Sequence, residues 1–278
     1  IFSFFFIFIN FIKAIFEILI KFCVLVIKYA VQKEIMTNLL RTFLYTQFSF
    51  FTNQSQGKFL NTFNREVSVV GDTLGHLTMQ LAQTVQLLIY LIVPLMIDPI
   101  MTISALGIAI ILSTPFLFLK QKSYNLGKAN TNTSNKIMSV ISEIFSGIRV
   151  LIANSKQEKM IKLHKEVFSQ HVKATIKSQI LAQSIQSIYY PIGITAAICS
   201  MGISVFWGVK LSDTAIVLWS LLRAMPILGT LIRTNISISN FIPSYEQLEK
   251  LKDKANKVKL ENGDVEINNF NDKIIFKD

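Results

Sequence analysis

Arg223 stands ten residues into the uncharged company of Thr214 to Ile232. An unpaired arginine at mid-bilayer costs about 2.5–3.5 kcal/mol even on the mildest scale. Such a side chain must face a bundle interior, a wet cavity or an anionic partner. Lys13, Glu17 and Lys21 recur every four residues and so share one face of an apolar helix. Glu17 is the only acid inside the apolar runs and lies at a depth similar to Arg223, so it is the candidate partner. The four charges read either as a polar lining of a transport path or as snorkelling lysines offset by one acid. Other chemistry is missing. The histidines are isolated, Cys23 and Cys199 lie in apolar runs, and no metal spacing occurs. A phosphate-cradling loop needs G-x-x-x-x-G-K-[ST]. Here Gly57-Lys58 runs on to Phe59 and Gly127-Lys128 to Ala129. No catalytic residue, cofactor site or metal site is expected in this chain.

The elements that carry these charges must be membrane helices. Thr78 to Ile97 and Ile100 to Leu119 are two runs of 20 residues without a charge, split by Asp98-Pro99. A hydrocarbon core of about 30 Å takes about 20 helical residues, so Asp98-Pro99 is a turn between two crossings. Apolar residues make up 51% of the chain and charged ones only 16%, where a soluble chain carries about 25%. The spacing predicts an all-α, polytopic bundle with spans at about 6–30, 78–97, 100–119, 182–209 and 214–232. The first helix continues without Pro or Gly to Phe51, roughly 75 Å at 1.5 Å per residue, and must extend far beyond the bilayer. Asn53 to Gly57 breaks it. The polar region 120–178 holds two helical stretches around Gly147 to Asn154. Pro191 predicts a kink. Pro243 opens a charged helix ending near Val258, Glu261 to Asp264 forms a turn, and Lys273 to Phe276 reads as a short strand.

Charge sets the orientation. Between Lys120 and Lys177 there are eleven Lys/Arg and three Glu, whereas the short loops at Asp98 and Lys210 are nearly free of positive charge. Beside apolar spans this is the signature of a cytoplasmic side rather than of a nucleic-acid surface. Residue 1 then starts outside and the C-terminal region lies in the cytoplasm.

Two long polar hairpins, each with a sharp break at its tip, act as levers on the spans. This plan, and four segments in order, resemble the transmembrane domain of ABC exporters of the bacterial lipid, peptide and drug type. Leu40-Arg41-Thr42-Phe43-Leu44-Tyr45 is similar to the end of that family's second helix, and Phe50 to Phe59 to its first intracellular loop. Ser142-Glu143-Ile144-Phe145-Ser146-Gly147-Ile148-Arg149-Val150, followed by Ser155 to Glu158, resembles the second loop signature. Pro243 to Glu249 resembles the helix leading to the nucleotide-binding domain. The resemblance covers nearly the whole chain from the second of six helices onward.

The resemblance implies a transmembrane domain over 1–258. Residues 259–278 would be a linker and the start of a nucleotide-binding domain, in a chain read as a fragment that lacks its first helix. It implies coupling contacts at Gln54, Ser55, Gly57 and Lys58 and at Asn154, Ser155, Lys156, Gln157 and Glu158. The implied partners are the lipid bilayer, a second transporter half and ATP-binding domains, with ATP and Mg²⁺ on those domains and no nucleic acid. The implied location is a bacterial inner membrane. The alternative is an ATP-independent helical channel or membrane scaffold, and the cargo stays open.

Orientation is testable directly. A cysteine placed at Ser212 reacts with an impermeant thiol reagent from outside, and one placed at Ser155 reacts only after permeabilisation. The reverse pattern would overturn the reading of the basic loops.

Overall fold

The computed structural model describes residues 2–52 and 54–260. All of its extended elements are helices: α1 Phe2–Leu44, α2 Phe48–Thr52, α3 Gln56–Asn61, α4 Val67–Ile97, α5 Pro99–Leu117, α6 Leu119–Ser146, α7 Ile148–Ala153, α8 Gln157–Phe206 and α9 Leu211–Asn256. A π-helical turn, Thr62–Glu66, joins α3 to α4. Among the described residues four helical segments are long and apolar enough to cross a membrane: Gln56–Ile97, Pro99–Ser146, Gln157–Phe206 and Asp213–Asn256. The fifth expected crossing falls in α1, whose apolar stretch carries Lys13, Glu17 and Lys21 and which is not among those four segments.

Helix α9 is the hub, packed along α4, α6 and α8, while α5 lies on α8 and α1 on α4. At 46 residues α9 is roughly 69 Å long, more than twice the hydrocarbon thickness. The membrane portion is held by small residues that let helices approach closely. Ala105, Ala109, Ala196 and Ala224 are buried, with Met101, Val217, Leu221 and Met225 filling between them. A Cβ on Gly193 would lie 2.6 Å from that of Met225, and one on Gly229 would lie 2.7 Å from that of Tyr189.

Asp98 shows how the turn between α4 and α5 is built. Its carboxylate accepts the Met101 N–H at 2.9 Å and caps α5, with Pro99 in the first helical position. The other oxygen accepts the Ser204 hydroxyl, so the turn is pinned to α8, and Asp98 is only 2% exposed.

The first helix stops at Leu44, seven residues earlier than its apolar pattern predicts. The cause is non-local. Tyr45 to Gln47 pair with the segment after α9: the Gln47 N–H donates to Val258 O at 2.9 Å and the Leu260 N–H to Tyr45 O at 2.8 Å. A phenylalanine cluster fills this elbow. Phe43 meets Phe50, Phe59 and Phe63 at ring distances of 5.5, 5.3 and 5.5 Å. Leu248, Leu251 and Ala255 of α9 close it.

Pro243 does not open a new helix; it lies inside α9, which runs unbroken through Pro226 as well. Neighbouring helices cover the backbone groups that a proline frees. Pro191 likewise lies inside a continuous α8. The turn expected at 261–264 and the strand at 273–276 lie outside the described residues.

Helices α6 and α9 touch backbone to backbone. A Cβ on Gly127 would collide with the Asn240 carbonyl oxygen and lie 2.8 Å from its carbon. Asn240 also donates to Ser123 O at 2.9 Å. Gly107 has open space around it. Gly127→Ala therefore costs about 1–3 kcal/mol through overpacking, read as a lower thermal midpoint in detergent. Gly107→Ala leaves it unchanged or raises it through helix propensity. Equal midpoints would refute the close crossing.

Candidate functional site

Two polar tips close the two hairpins. The first is α3. Ser55 caps it, accepting the Lys58 N–H at 3.3 Å. Gly57 is buried because a Cβ there would strike the α6 backbone at Met138 and Ser139. The Ser142 hydroxyl donates to Gln56 Oε1 at 3.0 Å. The first tip is thus seated on α6, and Gly57 is part of the seat, facing inward rather than outward. Ser55 and Leu60 remain exposed, while Gln54 and Lys58 are half-buried. Burial, and then Lys254 and Lys250 of α9, push the Lys58 ammonium pKa below the usual lysine value.

The second tip is α7. None of its residues is buried. Asn154, Ser155, Lys156, Gln157 and Glu158 are all exposed. Ser155 takes a left-handed φ of 51°, which turns the chain from α7 into α8. Large apolar side chains stand exposed around it, with Phe145 at 71% and Val150 at 66%. From Ser142 to Ile148 the axial rise is roughly 9 Å. The two tips therefore sit within two helical turns of one another on the same end of α6.

Above the first tip lies a polar junction that motif reading missed. Glu66 is fully buried. Its Oε1 accepts from Asn61 Nδ2 at 2.8 Å and from the Arg65 guanidinium at 2.6 Å. Its Oε2 accepts from Thr131 at 3.4 Å. Asn61 also donates to Asn135 at 2.7 Å, Asn135 donates to Gln247 at 2.7 Å, and Gln247 donates to Thr62 at 3.0 Å. The Ser134 hydroxyl donates to Asn61 Oδ1 at 2.7 Å. One connected network thus joins the first hairpin, α6 and α9. The π turn makes it possible: its i→i+5 period stacks Asn61 over Glu66. The available signal was polar residues at helical spacing, Thr131, Ser134 and Asn135, facing Ser244 and Gln247. Read alone, such a stripe looks like a solvated face.

Two further ties were also missed. Lys28 of α1 meets Asp72 of α4 at 2.5 Å. His171 of α8 lies 3.0 Å from the Thr133 hydroxyl of α6. Burial, then Arg65, holds the His171 imidazole below its usual pKa and favours the neutral ring. It lies in the polar extension, outside the apolar run that begins near residue 180.

Among the described residues the intramembrane charges do not form the expected Arg223–Glu17 pair. Glu17 sits 3.7 Å from Lys13, both about half exposed, and Lys21 is exposed one turn on. Arg223 does not pair with Glu17 and does not enter the bundle. It is exposed, with its guanidinium 5.2 Å from the Trp219 ring centre. The helical period explains this: Leu221, Ala224 and Met225 take the buried side of α9, leaving Trp219 and Arg223 opposite.

The junction makes a testable demand. Glu66→Ala strands the Asn61 amide and the Arg65 guanidinium and costs about 3–5 kcal/mol, as for a broken buried pair. Glu66→Gln keeps an acceptor and costs less. Thermal stability, with hydrogen exchange over residues 54–66, reads the effect. A loss no greater than that of exposed Glu158→Ala would refute the junction.

Comparison with known proteins follows the same lines. Residues 1–224 match the family described as ABC transporter transmembrane region. A search of curated proteins finds no match. Among solved structures, a bacterial Atm1-family ABC exporter with ATP bound superposes with a TM-score of 0.71 at 13% identity. The match covers 92% of this chain and 45% of that one, so the chain spans less than half of that protein's length. At that identity the likeness speaks for the fold. With four long apolar helical segments, two lever hairpins and a family match over most of its length, the chain is an integral, multi-pass membrane protein and belongs to the ABC transporter transmembrane region family.

Proposed function

We propose that this chain forms the substrate path of an ATP-driven exporter and couples it to ATP-binding domains through α3 and α7. The seating of α3 on α6 carries the reading. Gly57 and Gln56 fix the first tip to the same helix whose end bears the second tip. A push on either tip therefore moves α6. Its contact with α9 passes the motion to the hub through the Glu66 junction and the Gly127 crossing. Helices α8 and α9 are each roughly 70 Å long or more, so displacement at the tips becomes tilt in the spans.

In this reading α1 is the fifth span, and the lever tips lie in the cytoplasm of a bacterial inner membrane. A second half, identical or not, packs against this one. ATP and Mg²⁺ bind to the ATP-binding domains, and closure of those domains draws the levers together and opens the path outward. Arg223 on Trp219, with Lys13, Glu17 and Lys21, lines the path. An exposed guanidinium at mid-membrane suits a cavity wall and an anionic group on the cargo, because lipid would exact the cost given above.

The second tip supplies the test, since its side chains are exposed and do not support the fold. In the intact transporter, Lys156→Glu and Ile152→Asp leave membrane insertion and thermal midpoint within error of wild type. They lower transport-stimulated ATP hydrolysis at least several-fold. Wild-type stimulation in both variants would sink the coupling role. Transport that persists without ATP would favour a passive helical channel.

A further inference from the structure

We propose that the crevice between α5 and α9 holds one acyl chain of an anionic phospholipid, with its phosphate on Lys120 and Asn235. The crevice has a volume of about 280 Å³. Leu106, Ile110 and Leu117 of α5 form one wall, Leu228 and Ile232 of α9 the other, and Tyr189 of α8 the floor. The hydroxyls in the wall are already used. Tyr189 donates to Ser113, Ser113 to the Ala109 carbonyl, and Thr114 to Ile110 O at 3.2 Å. What remains facing the space is hydrocarbon.

The dimensions select the occupant. From Leu106 to Lys120 the rise is roughly 21 Å, and Leu106 lies eight residues, roughly 12 Å, from the turn at Asp98. The crevice thus runs from mid-membrane to one edge of a core about 30 Å thick, which is the reach of one leaflet. A helix is about 10 Å across and cannot enter so small a space, whereas a single chain can.

The charge sits at the correct end. Lys120 and Asn235 are the polar lining at the membrane edge. Both are exposed, and neither has a hydrogen-bond or ion-pair partner among the described residues. Glu246 is the acid one helical stretch further along α9, and it is engaged by Tyr124 at 3.0 Å and Lys250 at 3.7 Å. Lys120 is therefore uncompensated at headgroup depth, with Lys122 and Arg233 nearby in sequence to extend the positive edge. Basic sites between membrane helices at that edge bind anionic headgroups. The site is distinct from the proposed path at Arg223 and does not rest on coupling to ATP.

The test uses the intact transporter in phosphatidylcholine nanodiscs containing a trace of phosphatidylglycerol with a photoactivatable acyl chain. Labelling without nucleotide, mapped by mass spectrometry, falls on peptides covering 106–117 and 228–236. Lys120→Gln lowers that labelling about fivefold, the effect of one cation near the headgroup, and Lys120→Arg restores it. Ile110→Trp fills the crevice and abolishes labelling. Ile111→Trp, at a residue 71% exposed and outside the crevice, does not. Three outcomes would overturn the proposal. Equal labelling by a phosphatidylcholine probe would make the contact ordinary boundary lipid. Protection by inorganic phosphate alone would make it an anion site without a tail. An unlabelled crevice would mean that protein covers it.

Discussion

A buried carboxylate fixes the geometry of the whole lever system. Glu66 has no contact with water, so its charge must be met by protein donors or it would not be kept there. Asn61, Arg65 and Thr131 supply those donors from two separate helices. Satisfying them forces α3, the π turn and α6 into one register, and the Asn135–Gln247 bond adds α9. A fully satisfied network of this kind resists partial displacement, because any slip leaves several buried groups unpaired at once. Within this junction α3, α6 and α9 are therefore tied as one unit.

The membrane portion is held by a different force. Among the described residues no polar network joins α5, α8 and α9 there. Glycine and alanine let α5, α8 and α9 approach, and dispersion between close surfaces does the rest. Contacts of that type slide at lower cost than a hydrogen-bonded junction breaks. The contrast divides the molecule into a rigid polar lever and a more yielding apolar bundle. Among the described residues, the ties across it are the pin from Asp98 to Ser204 and the Tyr189–Ser113 hydrogen bond, both of which join α8 to α5.

Much of this was legible because the bilayer imposes length. The uncharged runs on either side of Asp98-Pro99 became α4 and α5, and the breaks near Asn53 and Gly147 became the two tips. The misses share a cause. Leu44 ends α1 because residues 45–47 pair with 258–260, more than 200 positions away, and local pattern carries no trace of that. Pro243 looked like a boundary because a proline frees a backbone acceptor, but α9, packed along α4, α6 and α8, runs through it. Gly57, expected among the coupling contacts of the first tip, lies buried against the α6 backbone. The Glu66 network was hidden because Thr, Ser, Asn and Gln at helical spacing look alike whether they face water or one another.

Arg223 and Lys120 show what exposure means when part of the surface faces lipid. Both cations are exposed in this chain, yet the bilayer treats them differently. Lys120 lies at the membrane edge, where its ammonium reaches headgroups and water. Arg223 lies ten residues into the last apolar run, too deep to snorkel fully, and its guanidinium lies over the Trp219 ring. A cation–π contact offsets only about 0.5–2 kcal/mol, less than the cost of facing hydrocarbon. On the proposed path, the face of α9 that carries Trp219 and Arg223 turns toward water or protein. The first half of α1, with its Lys13–Glu17 pair, presents the same mixture of exposed phenylalanine and charge. On the proposed path the two surfaces follow one rule: charge at this depth marks the side turned away from the lipid.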